Sequence, residues 1–230
     1  MSDYIDPDTE KIRKICESII GSKIHINFTI TLKNGEKYTG CLDNCNIIGD
    51  SMENILFPII NKHITTFEKG PKQSSPDFYN RNKCWEWELK CFSNNPGFDI
   101  SNFNSYISQL TSNLEKKLYK TQYLIFKYNL KSSVVEILDF KLCNIWELLS
   151  YNKTYPISLQ CKKGMWYNIR PCNYNDINNK NKTPDIFIKY ICKAISLTPN
   201  KLEDREKIID NIYIQFYKLQ YIQTLLNSHQ

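Results

Sequence analysis

Apolar positions change their period several times along this 230-residue chain, and each change marks an element. From Asp8 to Ile20, Ile12, Ile15 and Ile19 recur at helical spacing, and Gly21 ends the run. KIHINFTITL (23–32) then alternates apolar and polar residues before Asn34-Gly35, which predicts a strand and a hairpin turn. Asn46 to His63 reads as a second helix beginning at Asp50 or Ser51, with Pro58 kinking or dividing it. GPKQSSP (70–76) is a loop, and WEWELKCF (85–92) is a strand with Trp85, Trp87 and Leu89 turned to the core.

Beyond it, Tyr106, Ile107, Leu110, Leu114 and Leu118 form one stripe of a helix from Asn104 to Leu118. TQYLIFKYNL and SSVVEILDF are two strands joined through Asn129 to Ser133, followed by a short helix from Leu142 to Leu149. SLQCKKGMWYNIRP holds two short strands hinged at Gly164, NYNDINNKNKT (173–183) has loop composition, and Pro184-Asp185 is a loop or helix start. The chain ends in a long helix, Asp204 to Leu226, with Ile208, Ile212, Phe216, Leu219 and Ile222 inward. Hairpins mixed with helices in this order predict an α+β or mixed α/β fold, built as one domain over 1–230.

Composition narrows the class without naming an activity. With 41% hydrophobic and 13% aromatic residues the chain can bury a core. Its net charge of +6 suits a polyanionic partner. The nine cysteines include no C-x-x-C pair, and Cys41 and Cys45 have no second pair to complete a zinc site, so reduced thiols in a soluble, cytoplasmic protein are expected. No apolar stretch is long enough to span a bilayer. The three histidines, His25, His63 and His229, are isolated, which disfavours histidine-metal nuclease chemistry, and no phosphate-binding glycine pattern is present.

The segment 74–92 carries the chemistry. On one face of its strand Glu86, Glu88 and Lys90 line up, an alternation that an exposed sheet edge also produces. A hairpin between Asp77 and this strand brings Asp77 alongside Glu88, and two carboxylates held together repel unless a cation lies between them. Such a pair suits Mg²⁺, and Lys90 on the same face suits a water or a developing phosphate charge.

Asp77 followed by Glu88-Leu89-Lys90 resembles the PD-(D/E)xK signature of metal-dependent nucleases. The motif is short, so its surroundings carry weight. SPDFYN, WEWELKCF, GFDISNFNSYI, YLIFKY, IWELL and MWYNIRP resemble, in order and spacing, type II restriction endonucleases of the NgoBV type, and more distantly PvuII. The resemblance implies a restriction-endonuclease-like core, a central mixed sheet flanked by helices, in a homodimer that uses Mg²⁺ to cut palindromic double-stranded DNA, leaving 5′-phosphate and 3′-hydroxyl ends. It implies Asp77 and Glu88 as metal ligands, the Leu89 carbonyl as a further ligand and Lys90 as the water-positioning lysine. Glu53 matches the extra acid many members carry on a preceding helix, although an acid three residues after Asp50 is also what a capping box uses. Glu86 either supports a second metal or is a solvated partner of Lys83 or Arg81.

Expected DNA contacts are Lys162, Lys163, Tyr167, Asn168 and Arg170 on the hairpin around Gly164, with Asn94 and Asn95 after the catalytic strand. Arginine reads guanine, asparagine reads adenine, and lysines hold phosphates. Each has a plainer role: Arg170 can pair with a carboxylate, the lysines can be solvated, and the asparagines can form turns. Two other functions fit the same residues, a repair nickase or junction resolvase with this core and a non-catalytic DNA-binding protein.

Overall fold

The computed structural model describes residues 7–41, 46–71, 75–81, 85–152 and 155–228, so Cys45 and Lys83 lie outside the described residues. Contacts group the chain into two compact units, Met1–Pro96 with Tyr123–Leu142 and Gly97–Gln122 with Cys143–Gln230.

The first unit is built on a six-stranded sheet in the order β1-β9-β8-β6-β5-β4. Its strands are β1 (Lys23–His25), β4 (Phe67–Lys69), β5 (Phe78–Asn80), β6 (Trp85–Phe92), β8 (Thr121–Lys131) and β9 (Val134–Asn144). The alternating stretch 23–32 does not form one strand: β1 pairs with β9, whereas β2 (Asn27–Thr31) pairs with β3 (Lys37–Cys41) as a separate hairpin whose turn contains Gly35 at φ +88°. Alternation specifies which face a side chain takes, not which strand lies beside it.

Helix α1 (Pro7–Ser18) and helix α2 (Asn46–Asn61) supply the apolar layer against this sheet. Ile12 and Cys16 of α1, and Met52, Leu56 and Ile60 of α2, join Phe67, Phe78, Trp87, Leu124 and Phe126 in one buried cluster. Within it Phe67 packs on Phe78 and Trp87 with ring centroids 5.0 and 5.3 Å apart. Helix α2 starts at Asn46 rather than at Asp50 or Ser51, and it runs through Pro58 without dividing. Proline removes one donor, but the helix resumes beyond it, with Lys62 N–H donating to the Pro58 carbonyl at 3.2 Å.

The second unit contains β7 (Ser101–Asn102), β10 (Leu159–Lys162) and β11 (Met165–Ile169) in the order β10-β11-β7. Helix α3 (Phe103–Ser112) is capped by Asn102, whose side chain accepts from Ser105 N–H. The helix expected to reach Leu118 ends at Ser112, and a π-helical turn, Lys116–Lys120, follows. Leu114 N–H donates instead to the side chain of Gln215 at 3.2 Å. The helix expected from Leu142 is α4 (Ile145–Leu148), shortened because β9 continues to Asn144, which caps α4 in a reciprocal box with Glu147. Helix α5 (Pro184–Leu197) begins at the Pro184-Asp185 pair with Thr183 as cap.

The last helix, α6 (Arg205–Ser228), packs on α3 and α5. Ile212 and Phe216 are buried as expected, whereas Ile222 is exposed, because at about 100° per residue it lies about 80° around the helix from Ile212 and about 120° from Phe216. Among the described residues no helix is long and apolar enough to cross a membrane. Among the described residues Cys16, Cys91, Cys143, Cys161, Cys172 and Cys192 form no disulfide.

Candidate active site

β6 is an interior strand, flanked by β8 and β5. Glu86 and Glu88 are each only 7% exposed, so the alternation in WEWELKCF is not that of a solvent-facing edge. The solvated role for Glu86 is therefore wrong, and Arg81 pairs with Glu68 at 3.2 Å. Burying carboxylates inside a sheet is costly unless each finds partners or a cation.

Strand register sets the relation of Asp77 to Glu88. β5 pairs antiparallel with β6 as Phe78↔Trp87, Tyr79↔Glu86 and Asn80↔Trp85. Asp77 directly precedes β5, and continuing this register by one residue sets it across from Glu88. Asp77 turns its own carbonyl away, accepting from Gly70 N–H at 2.8 Å on the β4 side. Facing residues without a ladder bond between them bring their side chains closest. The cis Ser75-Pro76 peptide leads into this position.

Hydrogen bonds hold both acids. Asp77 Oδ2 accepts from Leu89 N–H at 2.6 Å. A strand residue points its N–H and carbonyl to the same side, so the Leu89 carbonyl also faces the Asp77 side. Glu88 Oε1 accepts from the Ser75 hydroxyl, and Glu88 Oε2 lies 3.7 Å from Lys90 Nζ. Burial raises the Asp77 carboxyl above its usual range; Lys90 and the Leu89 N–H pull it back, and Asp50 pushes it up again.

Glu53 joins this group from α2. Its carboxyl is raised by burial, then by Asp77 and Asp50, against the lowering charges of Lys69 and Lys90. Because α2 begins at Asn46, Asp50 is inside the helix and not its cap, so Glu53 is not the acid of a capping box. Asp50, Gly70 and Ser75 belong to the site but carry no sequence signal for it: Asp50 reads as a helix start, and Gly70 and Ser75 as loop residues.

The donors are carboxylates and a carbonyl, which suits a hard divalent cation. Among the described residues no group of three or more His, Cys, Asp or Glu is placed to hold a metal by itself. A pair of carboxylates nevertheless fits Mg²⁺, which keeps several waters and takes substrate phosphate oxygens for its remaining positions. Like charge adds to burial at both acids, Asp77 and Asp50 raising Glu53 and Asp50 raising Asp77, and such repulsion is the kind that a divalent cation relieves.

The sequence model of the NgoBV restriction endonuclease family matches residues 15–229. The chain belongs to the NgoBV restriction endonuclease family. It is similar to the type II restriction enzyme NlaIV of Neisseria lactamica, with 31% identity over 143 residues; that stretch is 59% of this chain and 58% of the length of NlaIV. It shares its fold with the solved NlaIV restriction endonuclease, with a TM-score of 0.72 and 23% identity over 91% of this chain and 89% of that one. A sheet flanked by helices is thus the architecture of this NgoBV-family chain and of its solved relative.

Asn94 and Asn95 are exposed in the bend that follows β6 in the first unit. The other expected DNA contacts of the NgoBV-family chain lie in its second unit, on the β10–β11 hairpin. Lys163 and Gly164 both have positive φ, +50° and +77°, and form a two-residue turn between the paired Lys162 and Met165. Lys162 and Lys163 are exposed, and Lys162 Nζ lies over the Tyr167 ring, 4.0 Å from its centroid. Asn168 is instead buried, with its amide on Gln160 at 3.3 Å. Arg170 pairs with Asp99 at 3.0 Å and donates to the Gly97 carbonyl, so its guanidinium holds a turn of its own unit.

Proposed function

We propose that this chain is a type II restriction endonuclease that cuts both strands of double-stranded DNA at one sequence, uses Mg²⁺ and works in the cytoplasm as a homodimer. The observation that carries this reading is the hydrogen bond from Leu89 N–H to Asp77 Oδ2, which sets Asp77 against β6 next to Glu88, with Lys90 3.7 Å from Glu88, in a chain of the NgoBV family. The first unit holds the acids, and the second carries the basic hairpin.

Asp77, Glu88 and the Leu89 carbonyl would hold the ion. When bound, Mg²⁺ supplies positive charge for the phosphate in its transition state and a more acidic water. Leu89 N–H fixes Asp77 Oδ2, leaving Oδ1 for the ion, while Ser75 fixes Glu88 in the same way. Lys90, one-fifth exposed at its side chain, orients the attacking water and offsets charge on the scissile phosphate. In-line attack by that water breaks the bond to the 3′ oxygen and leaves 5′-phosphate and 3′-hydroxyl ends. Lys162 and Lys163 bind backbone phosphates, and Tyr167 stacks or contacts at the groove. Asn168 and Arg170, engaged within the hairpin and the 97–99 turn, shape this element rather than read bases.

Digestion of a plasmid of known sequence with and without Mg²⁺, followed by end mapping, tests the reading. Discrete linear fragments with 5′-phosphates, formed only with the metal, are expected. Relaxed circles alone would favour a nickase, and intact plasmid under all salts would favour a non-catalytic binder.

A further inference from the structure

Cys172 and Lys182 meet in the second unit. Cys172 follows β11 and is 5% exposed, with its N–H donating to the Leu148 carbonyl at 2.8 Å. Lys182 directly precedes Thr183, the cap of α5, and its N–H donates to the Asn179 carbonyl at 2.9 Å. The main chain thus fixes both residues. Their side chains converge: Lys182 Nζ lies 3.0 Å from Cys172 Sγ and donates to the Glu147 carbonyl at 2.9 Å.

Two features set this contact apart from an ordinary lysine bond. Among the described residues no carboxylate pairs with Lys182, so its ammonium faces a thiol and a carbonyl. The nitrogen–sulfur distance, moreover, is that of reacting atoms held ready for attack, about 3–3.5 Å. Burial raises the Cys172 thiol, and the hydrogen bond and charge of Lys182 pull it down, against a smaller push from Asp176. A thiolate formed here therefore has the Lys182 ammonium as its counter-ion.

Access selects the chemistry. A peroxide is little larger than water and reaches a thiol with so small an opening, whereas a bulky external thiol does not. A sulfenic acid at Cys172 is thus sheltered from capping by external thiols and lies against one amine. Cys161, exposed on β10, has no such shelter.

We infer that Cys172 and Lys182 join through a sulfur–nitrogen bond, a sulfenamide, when the chain meets hydrogen peroxide. The Cys172 thiolate attacks one peroxide oxygen, the O–O bond breaks, and the departing hydroxide takes a proton as water. Sulfur has then lost two electrons to the peroxide and carries a hydroxyl. Lys182, having released its ammonium proton to solvent, attacks sulfur through the nitrogen lone pair. The S–N bond forms, the S–O bond breaks, and the leaving hydroxide takes a proton from nitrogen as a second water. One thiol, one amine and one peroxide thus give one S–N bond and two waters. The link ties the segment after β11 to the start of α5 and keeps the sulfur from the irreversible sulfinic and sulfonic acids.

The full chain, treated with hydrogen peroxide and quenched with catalase, is digested with trypsin without reductant and read by mass spectrometry. Trypsin cuts after Lys180, between the two residues, so only a covalent bond keeps their peptides together. The expected product is a joined peptide lighter by two hydrogens than the sum of its parts, split by dithiothreitol added to the digest. Lys182→Arg keeps the positive charge but offers a guanidinium, which stays protonated and is no nucleophile. It should abolish the joined peptide and carry Cys172 on to sulfinic acid at doses where the parent shows the link. A Lys182→Arg chain with an altered circular dichroism spectrum is replaced by Lys182→Gln, scored in the same way. Parental Cys172 recovered as free thiol or sulfinic acid, without a joined peptide, overturns the inference. So does a joined peptide that survives the loss of Lys182.

Discussion

The backbone N–H of Leu89 donates to Oδ2 of Asp77 at 2.6 Å. An acid just ahead of β5 is thus fixed by the main chain of β6, at the residue between Glu88 and Lys90. Substitution at Asp77 therefore changes charge at a position whose geometry the backbone maintains. Asp77→Asn keeps the acceptor for Leu89 and removes the charge. Cleavage is expected to fall about 100-fold or more, since several kcal/mol of charge stabilisation are lost at about 1.4 kcal/mol per tenfold. DNA affinity should be unchanged or higher. Single-turnover cleavage and gel-shift titration measure the two, and a parental rate would remove Asp77 from the site.

Lys90→Ala is expected to lower the single-turnover rate by a comparable factor at saturating Mg²⁺ with little change in DNA affinity. An unaltered rate would take the lysine out of the mechanism.

Gly70 is needed for its lack of a side chain. A Cβ there would lie 1.6 Å from the Pro76 carbonyl oxygen, and that neighbour is main chain leading into Asp77. Gly70→Ala should push 76–77 away from β4, costing about 1–3 kcal/mol of stability and displacing Asp77. Thermal denaturation together with the cleavage rate checks this. A variant that matches the parent in both would show that the contact carries no weight.

Burial, above all, raises the Asp77 carboxyl, and burial, Asp77 and Asp50 raise Glu53. A carboxyl raised in the folded state keeps a proton that the unfolded chain has released. Its stabilising contribution is full below the unfolded range near pH ~4 and is lost as pH rises through the folded value. The metal-free chain should therefore lose Tm relative to Asp77→Asn as pH rises out of that range. Mg²⁺ should raise the parent's Tm by an increment that grows over the same window. Melting curves in chelator and in Mg²⁺ measure it, and an increment independent of pH would contradict it.

Trp87 is wholly buried against Phe67, directly behind the carboxylate face of β6. Trp87→Ala should cost about 3–5 kcal/mol, measured by denaturant unfolding. A loss below 1 kcal/mol would mean that this cluster does not carry the first unit.

β6 was legible because tryptophan and glutamate alternate there, and the start of α5 because Pro184 follows a capping threonine. The nearness of Asp77 to β6 was legible in the short hairpin spacing between them, and it is held by the bond from Leu89 N–H. Where local signals competed with tertiary context, reading failed. Asp50 and Ser51 are good caps, yet α2 begins at Asn46, since Ile48 also has a buried place to fill. Ile222 is turned about 80° from Ile212 and about 120° from Phe216 around the helix, so it leaves the buried stripe of α6 with which it was grouped. Ser75 and Gly70 act through a hydroxyl on Glu88 and a main-chain donor to Asp77. Neither kind of contact leaves a pattern in residue type.

The Lys163-Gly164 turn has a bearing on how this chain can change its target. One arm of the hairpin already carries an extra residue: Cys161 pairs with Trp166 and Gln160 with Asn168, which leaves Tyr167 as a bulge between them. The ring beneath Lys162 is thus supplied by an inserted position, and a further change of arm length can be taken up at this bulge, re-aiming one outward side chain while the two-residue turn keeps its pairing.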